Sequence, residues 1–444
     1  MAFCNAQALG ACSEAEGNNT IASGGSSHAE GLQTVANATA SHAEGYLTRA
    51  TGPASHAEGG AANAIGLYSH AEGRSTRSFG DHSHAEGLLT VASGLNAHAE
   101  GELTEASGLD SHAEGLETTA SGQSSHAEGE NNSAIGRASH AEGNLTAAGG
   151  LAAHAEGQST NAGGDLSHAE GNQTTASGQS SHAEGALTTA SGFTSHAQGV
   201  STIANSFVSH AEGQSTSTNN LEGVHIMGQF GSANELSYSW YLANGTSAAT
   251  PGLAAKILSN GNVKIDGTVS SPAADYAEMF ETVDGKPIEP GYFVTVEEDK
   301  VRIAVSSDFF VIGITSATPA FLSDSGELRW KHKFLTDEWG RILYEDVINP
   351  AEFGETGTVI TPERMVRRPL LNPAWHPAEE YTSRLERPEW VAVGLLGKLL
   401  VRDDGTCRAG GYCRPNHNGI ATSVESGYYV LRRTLPNQIL VLVR

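Results

Sequence analysis

Histidine and glutamate recur at a fixed spacing through the first half of this chain of 444 residues. Fourteen histidines stand fourteen residues apart, from His28 to His210, and glutamate follows two positions later in thirteen of the fourteen units. Stacked copies of such a pair would form two parallel ladders, and imidazole and carboxylate are both ligands for divalent metals. A metal-binding ladder is therefore one hypothesis, and its first members are His28, His42, His56, Glu30, Glu44 and Glu58.

Two other interpretations of the ladders stay open. Carboxylates repeated about every 5 Å repel one another, and an adjacent imidazole relieves that repulsion by donating a hydrogen bond or a positive charge. His and Glu would then stabilise one another, within one chain or across an interface between chains. The same surface could instead bind a glycan. Because one motif recurs in every unit, we expect no catalytic site there, and no cofactor.

The rest of the repeat predicts the elements that position these ladders. It consists of Ser-His-Ala-Glu-Gly-x-x-Thr-x-Ala-x-Gly-x-x, and small residues alternate along it, with Ser27, Ala29, Gly31, Thr34 and Ala36 expected on the inner face. An alternation with a period of two predicts strands, whereas the glycine content excludes a coiled coil. Each unit therefore predicts one coil of a parallel β-roll, a solenoid, with His and Glu on the outer face.

Such coils bury little apolar surface, because their inner residues are small, and the roll needs further packing. Larger apolar residues occupy variable positions in many units, and we expect them to pack between rolls. A homotrimer is the closed arrangement that buries three such stripes around one axis. These residues are Leu32, Val35, Ile65, Leu67, Leu88, Leu89, Val91, Ile135, Leu145 and Ile203.

Over roughly residues 13–213 the repeat resembles the head repeats of trimeric autotransporter adhesins. That family forms left-handed parallel β-rolls that assemble as trimers, so the resemblance implies the same architecture here. The larger apolar residue that the family usually has beside its Ala-x-Gly is present in Ser133-Ala134-Ile135-Gly136. Most other units of this chain replace it.

A second set of residues suited to chemistry lies after the repeat, between Ser270 and Glu281. It contains Asp275, Glu278 and a pair of serines beside Pro272, which restricts the backbone. Closely spaced acids can divide the roles of general acid and general base, because their mutual charge moves their pKa values apart. The same acids could equally cap a tight turn or pair with arginine.

The sequence around this segment predicts mostly β-structure. Residues 214–223 are expected to form a linker, and Asn260-Gly261 marks a hairpin turn in a small β connector that follows it. Few segments have a helical period, and apolar runs predict strands instead. The predicted strands are 237–242, 255–258, 262–267, 292–296, 309–314 and 390–396, and a closing hairpin is predicted from 428–431 and 438–443.

From residue 268 onward the chain resembles the peptidase G2 family, the autoproteolytic intramolecular chaperone domain at the C-terminus of phage tailspike and appendage proteins. The resemblance rests on separated motifs that occur in order: Ser270–Glu281, Gly291–Val294, Ile312–Ala317, Trp330, Asp337–Arg341, Pro388–Gly394 and Asp403–Thr406. It implies a domain that brings three chains together, holds the fibre in register and then cleaves its own chain. Cleavage makes assembly irreversible, which suits a slowly folding β-structure.

The family is classed among peptidases that use acidic residues, and this implies catalytic roles for Asp275 and Glu278. Asp275 would activate water or a serine hydroxyl, and Glu278 would protonate the leaving amine, with Glu281 as a reserve candidate. The region in which cleavage is expected comprises Ser270, Ser271, Pro272 and Ala273, with Ser271 as the favoured site and candidate nucleophile.

Charge and cysteine content exclude several classes of function. The net charge is −25, and residues 1–213 contain 22 Asp and Glu against four Arg and no Lys. Such a surface repels nucleic acid and anionic lipid. No stretch approaches ~18 consecutive apolar residues, so no membrane insertion is expected. Cys4, Cys12, Cys407 and Cys413 are too few for a disulfide framework; free thiols are expected, with a Cys407–Cys413 pair as the alternative.

We therefore expect an all-β protein in four segments: a cap or attachment segment at 1–12, the β-roll at 13–213, a linker and connector at 214–267, and a chaperone domain at 268–444. The expected function is the trimeric shaft of a phage tail fibre or tailspike. It would be made in the host cytoplasm, since no signal peptide pattern is present at the start, and would join a virion tail or another extracellular particle. Its partners would be copies of itself, a tail or baseplate protein, and a host-surface glycan or protein.

Other functions fit the sequence less well or stay open beside this one. A cell-surface adhesin stalk would need a signal sequence and a membrane anchor of amphipathic strands, and the chain ends in a hairpin without that pattern. A glycan depolymerase would need a cleft that a strict short repeat does not offer. A structural spacer with a permanent, non-cleaving trimerisation clamp stays open.

Overall fold

The computed structural model describes residues 5–326, 333–354, 357, 359–378 and 380–444. Cys4, a predicted free thiol, and Trp330, one of the matching motifs, lie outside the described residues. The chain divides into two compact units, Met1–Thr268 and Val269–Arg444. The prediction of an all-β protein is confirmed, since the helical structure in the described ranges is one short 3-10 turn, Arg384–Glu386. Within those ranges no helix has the length and apolar character needed to cross a membrane.

The first unit is a parallel β-solenoid. Each coil has one long and one short strand, and each strand pairs in parallel with its equivalents one coil away, so that His28 faces His42 and Ala36 faces Ala50. The long strands are Glu14–Asn18, His28–Leu32, His42–Tyr46, His56–Gly60, His70–Arg74, His84–Leu88, His98–Glu102, His112–Leu116, His126–Glu130, His140–Asn144, His154–Gln158, His168–Asn172, His182–Ala186, His196–Val200 and His210–Ser217. The short strands are Gln7–Ala8, Ile21–Ala22, Val35–Ala36, Arg49–Ala50, Asn63–Ala64, Arg77–Ser78, Val91–Ala92, Glu105–Ala106, Thr119–Ala120, Ser133–Ala134, Ala147–Ala148, Asn161–Ala162, Thr175–Ala176, Thr189–Ala190 and Ile203–Ala204.

The interior of each coil consists of the small residues that the alternation predicted, with one exception. Ser27, Ala29, Thr34 and Ala36 are all buried, as their equivalents are in nearly every coil. The prediction for Gly31 is wrong, because this residue is exposed and has a positive φ of 109°. A Cβ atom there would lie 2.2 Å from a backbone oxygen of the next coil, so the glycine is needed for close stacking rather than for the interior.

The solenoid continues beyond residue 213, where the sequence predicts a linker. His210–Ser217 pairs in parallel with His225–Ser232, which pairs in parallel with Trp240–Asn244. These coils are fifteen residues apart, and the change of period hides them from a fourteen-residue pattern. The strands Leu253–Ile257 and Val263–Ile265 then add in antiparallel fashion through the predicted Asn260-Gly261 turn.

The apolar residues at variable positions lie on the outside of the roll. Leu145 is 55% exposed and Ile135 is 58% exposed, although both are large and apolar. The others divide between exposed side chains (Leu32, Ile65, Leu89 and Ile203) and half-buried ones (Val35, Leu67, Leu88 and Val91). A single roll therefore leaves an apolar surface available for packing, as the sequence predicts.

The second unit is built on one mixed sheet around the long strand Trp390–Arg402. The N-terminal half of this strand pairs antiparallel with Asp275–Glu281 on one side and with Gly313–Thr315 on the other. Its C-terminal half pairs with Gln438–Val443. The other strands of the sheet are Phe293–Glu297, Lys300–Ile303, Phe321–Ser323, Tyr412–Pro415, Ala421–Val424 and Tyr428–Leu435, and separate pairs form from Tyr344–Asn349 with Arg364–Pro369 and from Glu352–Phe353 with Val359–Thr361.

Most of the strands predicted for this unit are present, and the closing hairpin is confirmed. The prediction of a strand over 309–314 is wrong for its first half, since the strand begins at Gly313 and Phe309 is fully exposed. The cause is the turn before it, where Asp308 accepts hydrogen bonds from Arg302 and from the backbone N–H of Val305. Cys407 and Cys413 are both buried and both free thiols, and Cys12 is free and exposed.

Candidate functional site

Burial along the strand Asp275–Glu281 separates the predicted catalytic acids. Asp275, Ala277 and Met279 are buried, whereas Tyr276 and Glu278 are only partly buried. Because side chains alternate between the two faces of a strand, Asp275 and Glu278 point to opposite sides of the sheet. Within one chain the two acids therefore face different sides of this strand.

Asp275 lies in a narrow space against the central strand. It faces Gly397 across the pair, and a Cβ atom at Gly397 would lie 2.1 Å from the backbone oxygen of Ala274. A Cβ atom at Gly394 would lie 3.2 Å from the Oδ2 atom of Asp275. That Oδ2 atom is enclosed and has no hydrogen-bond partner. A buried carboxyl oxygen without such a partner costs free energy, and structures retain such groups most readily where they have a function.

The segment that precedes Asp275 is open to solvent. Ser270, Ser271 and Pro272 are exposed, and the hydroxyl of Ser271 accepts a hydrogen bond of 3.2 Å from the backbone N–H of Ala273. The segment runs directly into the buried carboxylate. The residues expected to contain the scissile bond are therefore accessible and adjacent to Asp275 in the chain.

Ala273 and Asp275 line one wall of a cleft of about 950 Å³ in the second unit. Thr315 lines it from the end of a second strand, Ser316 from the residue after that strand, and Lys398 from the central strand. The backbone N–H of Lys398 also donates to the carbonyl of Ala274 at 3.2 Å. Sequence reasoning did not single out these three residues as site residues, because they reach the cleft only when strands far apart in the chain pair.

Glu278 and Glu281 each have a nearby partner. The Tyr276 hydroxyl donates to Glu278 Oε1 at 2.7 Å and lies 2.7 Å from the Ser323 hydroxyl. Glu281 accepts a hydrogen bond of 2.6 Å from Lys300, and this contact raises the pKa of the Lys300 ammonium. Both carboxylates therefore have hydrogen-bond partners, and a structural role in stabilising the strand explains them.

The His and Glu ladders of the roll form a continuous column. Neighbouring imidazoles stack with ring centroids 4.7–4.9 Å apart and nearly parallel planes, from His28 to His210. Glu72 presents Oε2 to His70 and Oε1 to His84, each 3.8 Å from the imidazole Nε2. Most of these Nε2 atoms are enclosed and make no hydrogen bond. The column thus alternates nitrogen and oxygen atoms that could hold cations.

Crowding within the column changes the pKa values of its members. Burial, together with the adjacent His70 and His98, lowers the pKa of His84, and burial lowers that of His210 to about 4. The neighbouring carboxyl groups share hydrogen bonds with Glu86 and raise its pKa to about 7. Burial therefore favours the neutral form of the His84 and His210 imidazoles.

Comparison with known proteins identifies relatives of the second half of the chain. Residues 232–437 match the family described as Peptidase_G2, IMC autoproteolytic cleavage domain, and the match begins before the expected start at residue 268. The chain is 38% identical over 180 residues to the pre-neck appendage protein of Bacillus phage B103. These aligned residues cover 40% of this chain and 19% of that protein. It is 37% identical over 169 residues to the putative phage-related protein YobO of Bacillus subtilis (strain 168). These aligned residues cover 38% of this chain and 20% of that protein.

A solved structure is also similar in sequence to part of the chain. The C-terminal fragment of bacteriophage phi29 gene product 12 is 34% identical, over 38% of this chain and 100% of the fragment, with a TM-score of 0.31. This chain spans about a fifth of the length of the curated relatives it matches.

Proposed function

We propose that residues 232–437, which belong to the peptidase G2 family of IMC autoproteolytic cleavage domains, assemble this chain into a phage appendage and then cleave it. The observation that carries the proposal is the buried Asp275, whose Oδ2 atom has no hydrogen-bond partner, beside the exposed segment 270–273. The group proposed as acid and base is therefore next to an exposed peptide segment.

The proposed reaction is hydrolysis of one peptide bond near Ser271. Asp275 takes a proton from water or from a serine hydroxyl as that oxygen attacks the carbonyl carbon. The carbon–nitrogen bond then breaks, and the proton passes from Asp275 to the departing amine. If serine attacks, water completes the hydrolysis of the resulting ester. We assign both proton transfers to Asp275, because Glu278 lies on the opposite face and is bonded to Tyr276.

We infer that three copies of the chain form the appendage. The exposed apolar side chains on the roll support this, since a trimer would bury three such surfaces. Cleavage after assembly would remove the domain that guided folding, so the finished roll would persist through kinetic rather than equilibrium stability. The appendage would attach to a phage particle through a tail or baseplate protein, and a host-surface glycan or protein is its proposed target.

Intact mass spectrometry of the full chain tests the cleavage. Wild type is compared with Asp275→Asn, Glu278→Gln and Glu281→Gln, which remove one charge each from the same strand. We expect wild type, Glu278→Gln and Glu281→Gln to yield two pieces cut within 270–273, and Asp275→Asn to stay whole. A whole wild-type chain in a stable trimer would indicate a permanent clamp or stalk instead, and a cleaved Asp275→Asn would remove Asp275 from the mechanism.

A further inference from the structure

The His/Glu column of the roll has the composition and geometry of a repeated cation site. Several carboxylates stand between two imidazoles, one from their own coil and one from the next. Glu86 is 3.9 Å from His84 and 3.9 Å from His98, and Glu156 is 3.9 Å from His154 and from His168. The oxygen and nitrogen atoms of several such triplets lie within 4.8 Å of one another.

Hydrogen bonding between His and Glu explains only part of this arrangement. His126, His140 and His196 are within 3.1–3.3 Å of a carboxylate oxygen. The other His–Glu pairs of the column that lie within 4.0 Å have Nε2–oxygen separations of 3.4 to 4.0 Å, beyond a good hydrogen bond. The enclosed Nε2 atoms that make no hydrogen bond are those of His28, His42, His56, His70, His84, His98, His112, His154, His168, His182, His210 and His225.

The separation between imidazole Nε2 and carboxylate oxygen atoms suits a divalent metal ion held between them better than a shared hydrogen bond. Metal–nitrogen and metal–oxygen bonds of about 2.0–2.1 Å at a tetrahedral ion place the ligand atoms about 3.4 Å apart. The separations in the column bracket this value, so small side-chain rotations would close the site. An ion would also offset the mutual repulsion of carboxylates stacked along the column.

We propose that the His/Glu column binds a row of divalent transition-metal ions such as Zn²⁺, each held by an imidazole Nε2 and the carboxylate oxygens that face it. One carboxylate would bridge two neighbouring ions, since its oxygens face different coils. The column is interrupted at Gln198, whose amide donates to Glu212 Oε2 at 3.0 Å. An amide is a poor ligand for these ions, so the row is divided there, and the folded coil also shows that glutamine is accommodated at this position.

The test measures Zn²⁺ bound to the full chain by equilibrium dialysis and elemental analysis, after chelator treatment. The column variant carries Glu100→Gln, Glu114→Gln and Glu128→Gln. The control carries Glu102→Gln, Glu117→Gln and Glu130→Gln, which remove the same charge from exposed positions of the same coils. Circular dichroism checks that both variants keep the β-structure of wild type.

We expect wild type and the control to bind several Zn²⁺ ions per chain, and the column variant to bind about a quarter fewer, because each lost carboxylate serves two imidazoles. Zn²⁺ should also raise the unfolding temperature of wild type, since an ion that binds the folded state stabilises it. Equal binding by the two variants would place the ions elsewhere and overturn the proposal. So would an absence of Zn²⁺ binding by wild type at micromolar free metal.

Discussion

The two units of this chain are both β-structures, yet they arrive at their cores by opposite routes. In the fourteen-residue coils of the roll the hydrophobic core consists of alanines, and each coil meets only the coils before and after it; large residues such as Ile226 enter the core only after residue 213. In the second unit Phe293, Ile314 and Ile439 come together from strands far apart in the chain. Repetition therefore produces surfaces on which one chemistry recurs, such as the His/Glu column. A core assembled from distant strands produces a single site, such as the cleft beside Asp275.

The largest expected effect comes from removing a large side chain from the second unit. Phe293 is fully buried and packs against Tyr428, with ring centroids 5.2 Å apart. We expect Phe293→Ala to lower the free energy of unfolding of this unit by about 3–5 kcal/mol, through lost burial and a cavity. The matched change in the roll is Ala99→Gly, which should cost only about 0.5–1 kcal/mol.

Hydrogen exchange followed by mass spectrometry measures the two units separately in one chain. If Ala99→Gly destabilised its coil as much as Phe293→Ala destabilises the second unit, the roll would not have the distributed stability described above.

The stability of the roll should instead be most sensitive to a side-chain atom added at the glycines where neighbouring coils stack. Gly59 has a φ of 96°, and a Cβ atom there would lie 2.3 Å from the backbone oxygen of Gly73 in the next coil. We expect Gly59→Ala to cost about 3 kcal/mol, since the coils would have to separate. The neighbouring Gly60 has no atom within 4 Å of a Cβ position, so Gly60→Ala should change stability by less than about 0.5 kcal/mol.

Denaturant unfolding of the two variants gives these free energies directly. Similar values for Gly59→Ala and Gly60→Ala would contradict the close stacking of coils at this column of glycines.

The buried thiols should lower the free energy of unfolding of the second unit at alkaline pH. Burial raises the pKa of Cys413 to about 12, and burial also raises that of Cys407, both from an ordinary value near 9.0. Since the folded state keeps these protons while the unfolded chain releases them above pH 9, stability is full below that pH and falls above it. The loss should be about 1.4 kcal/mol per pH unit for each thiol.

Alkylation of the native chain at pH 8, followed by peptide mapping, provides a simpler check. The exposed Cys12 should be modified and the two buried thiols should react only after unfolding. Rapid modification of Cys413 in the native state would mean that this core opens readily.

For a single chain, the smallest effect is expected at the outer surface of the roll, where the interface between chains is proposed. Leu145 is 55% exposed in a single chain. In an isolated roll Leu145→Ser should change stability by less than about 0.5 kcal/mol. In a trimer that buries this residue the same change should cost about 1.5–3 kcal/mol. Analytical ultracentrifugation beside thermal unfolding distinguishes the two cases, and Asn96→Ser, a polar position in the same roll, serves as the control.

The sequence by itself determined the roll. The fourteen-residue period, the alternation of small residues and the glycines gave its parallel coils, its buried Ser, Ala and Thr positions and its outer His and Glu residues. This was possible because each coil pairs with a neighbouring coil of nearly the same sequence. The residues that face one another across the coils can therefore be read from the repeat itself. The pattern failed only where the period became fifteen, after His210, and at Gly31, whose backbone conformation no alternation reveals.

The tertiary structure decided the site in the second unit. Sequence reasoning selected Asp275, Glu278 and the segment 270–273 from their residue types and their resemblance to a family. Only the strand showed that Asp275 is buried while Glu278 points away from it. Only the pairing of distant strands brought Thr315, Ser316 and Lys398 to the same cleft. The physical reason is that side-chain direction depends on which backbone each strand pairs with, and a non-repeating sequence does not encode that pairing locally.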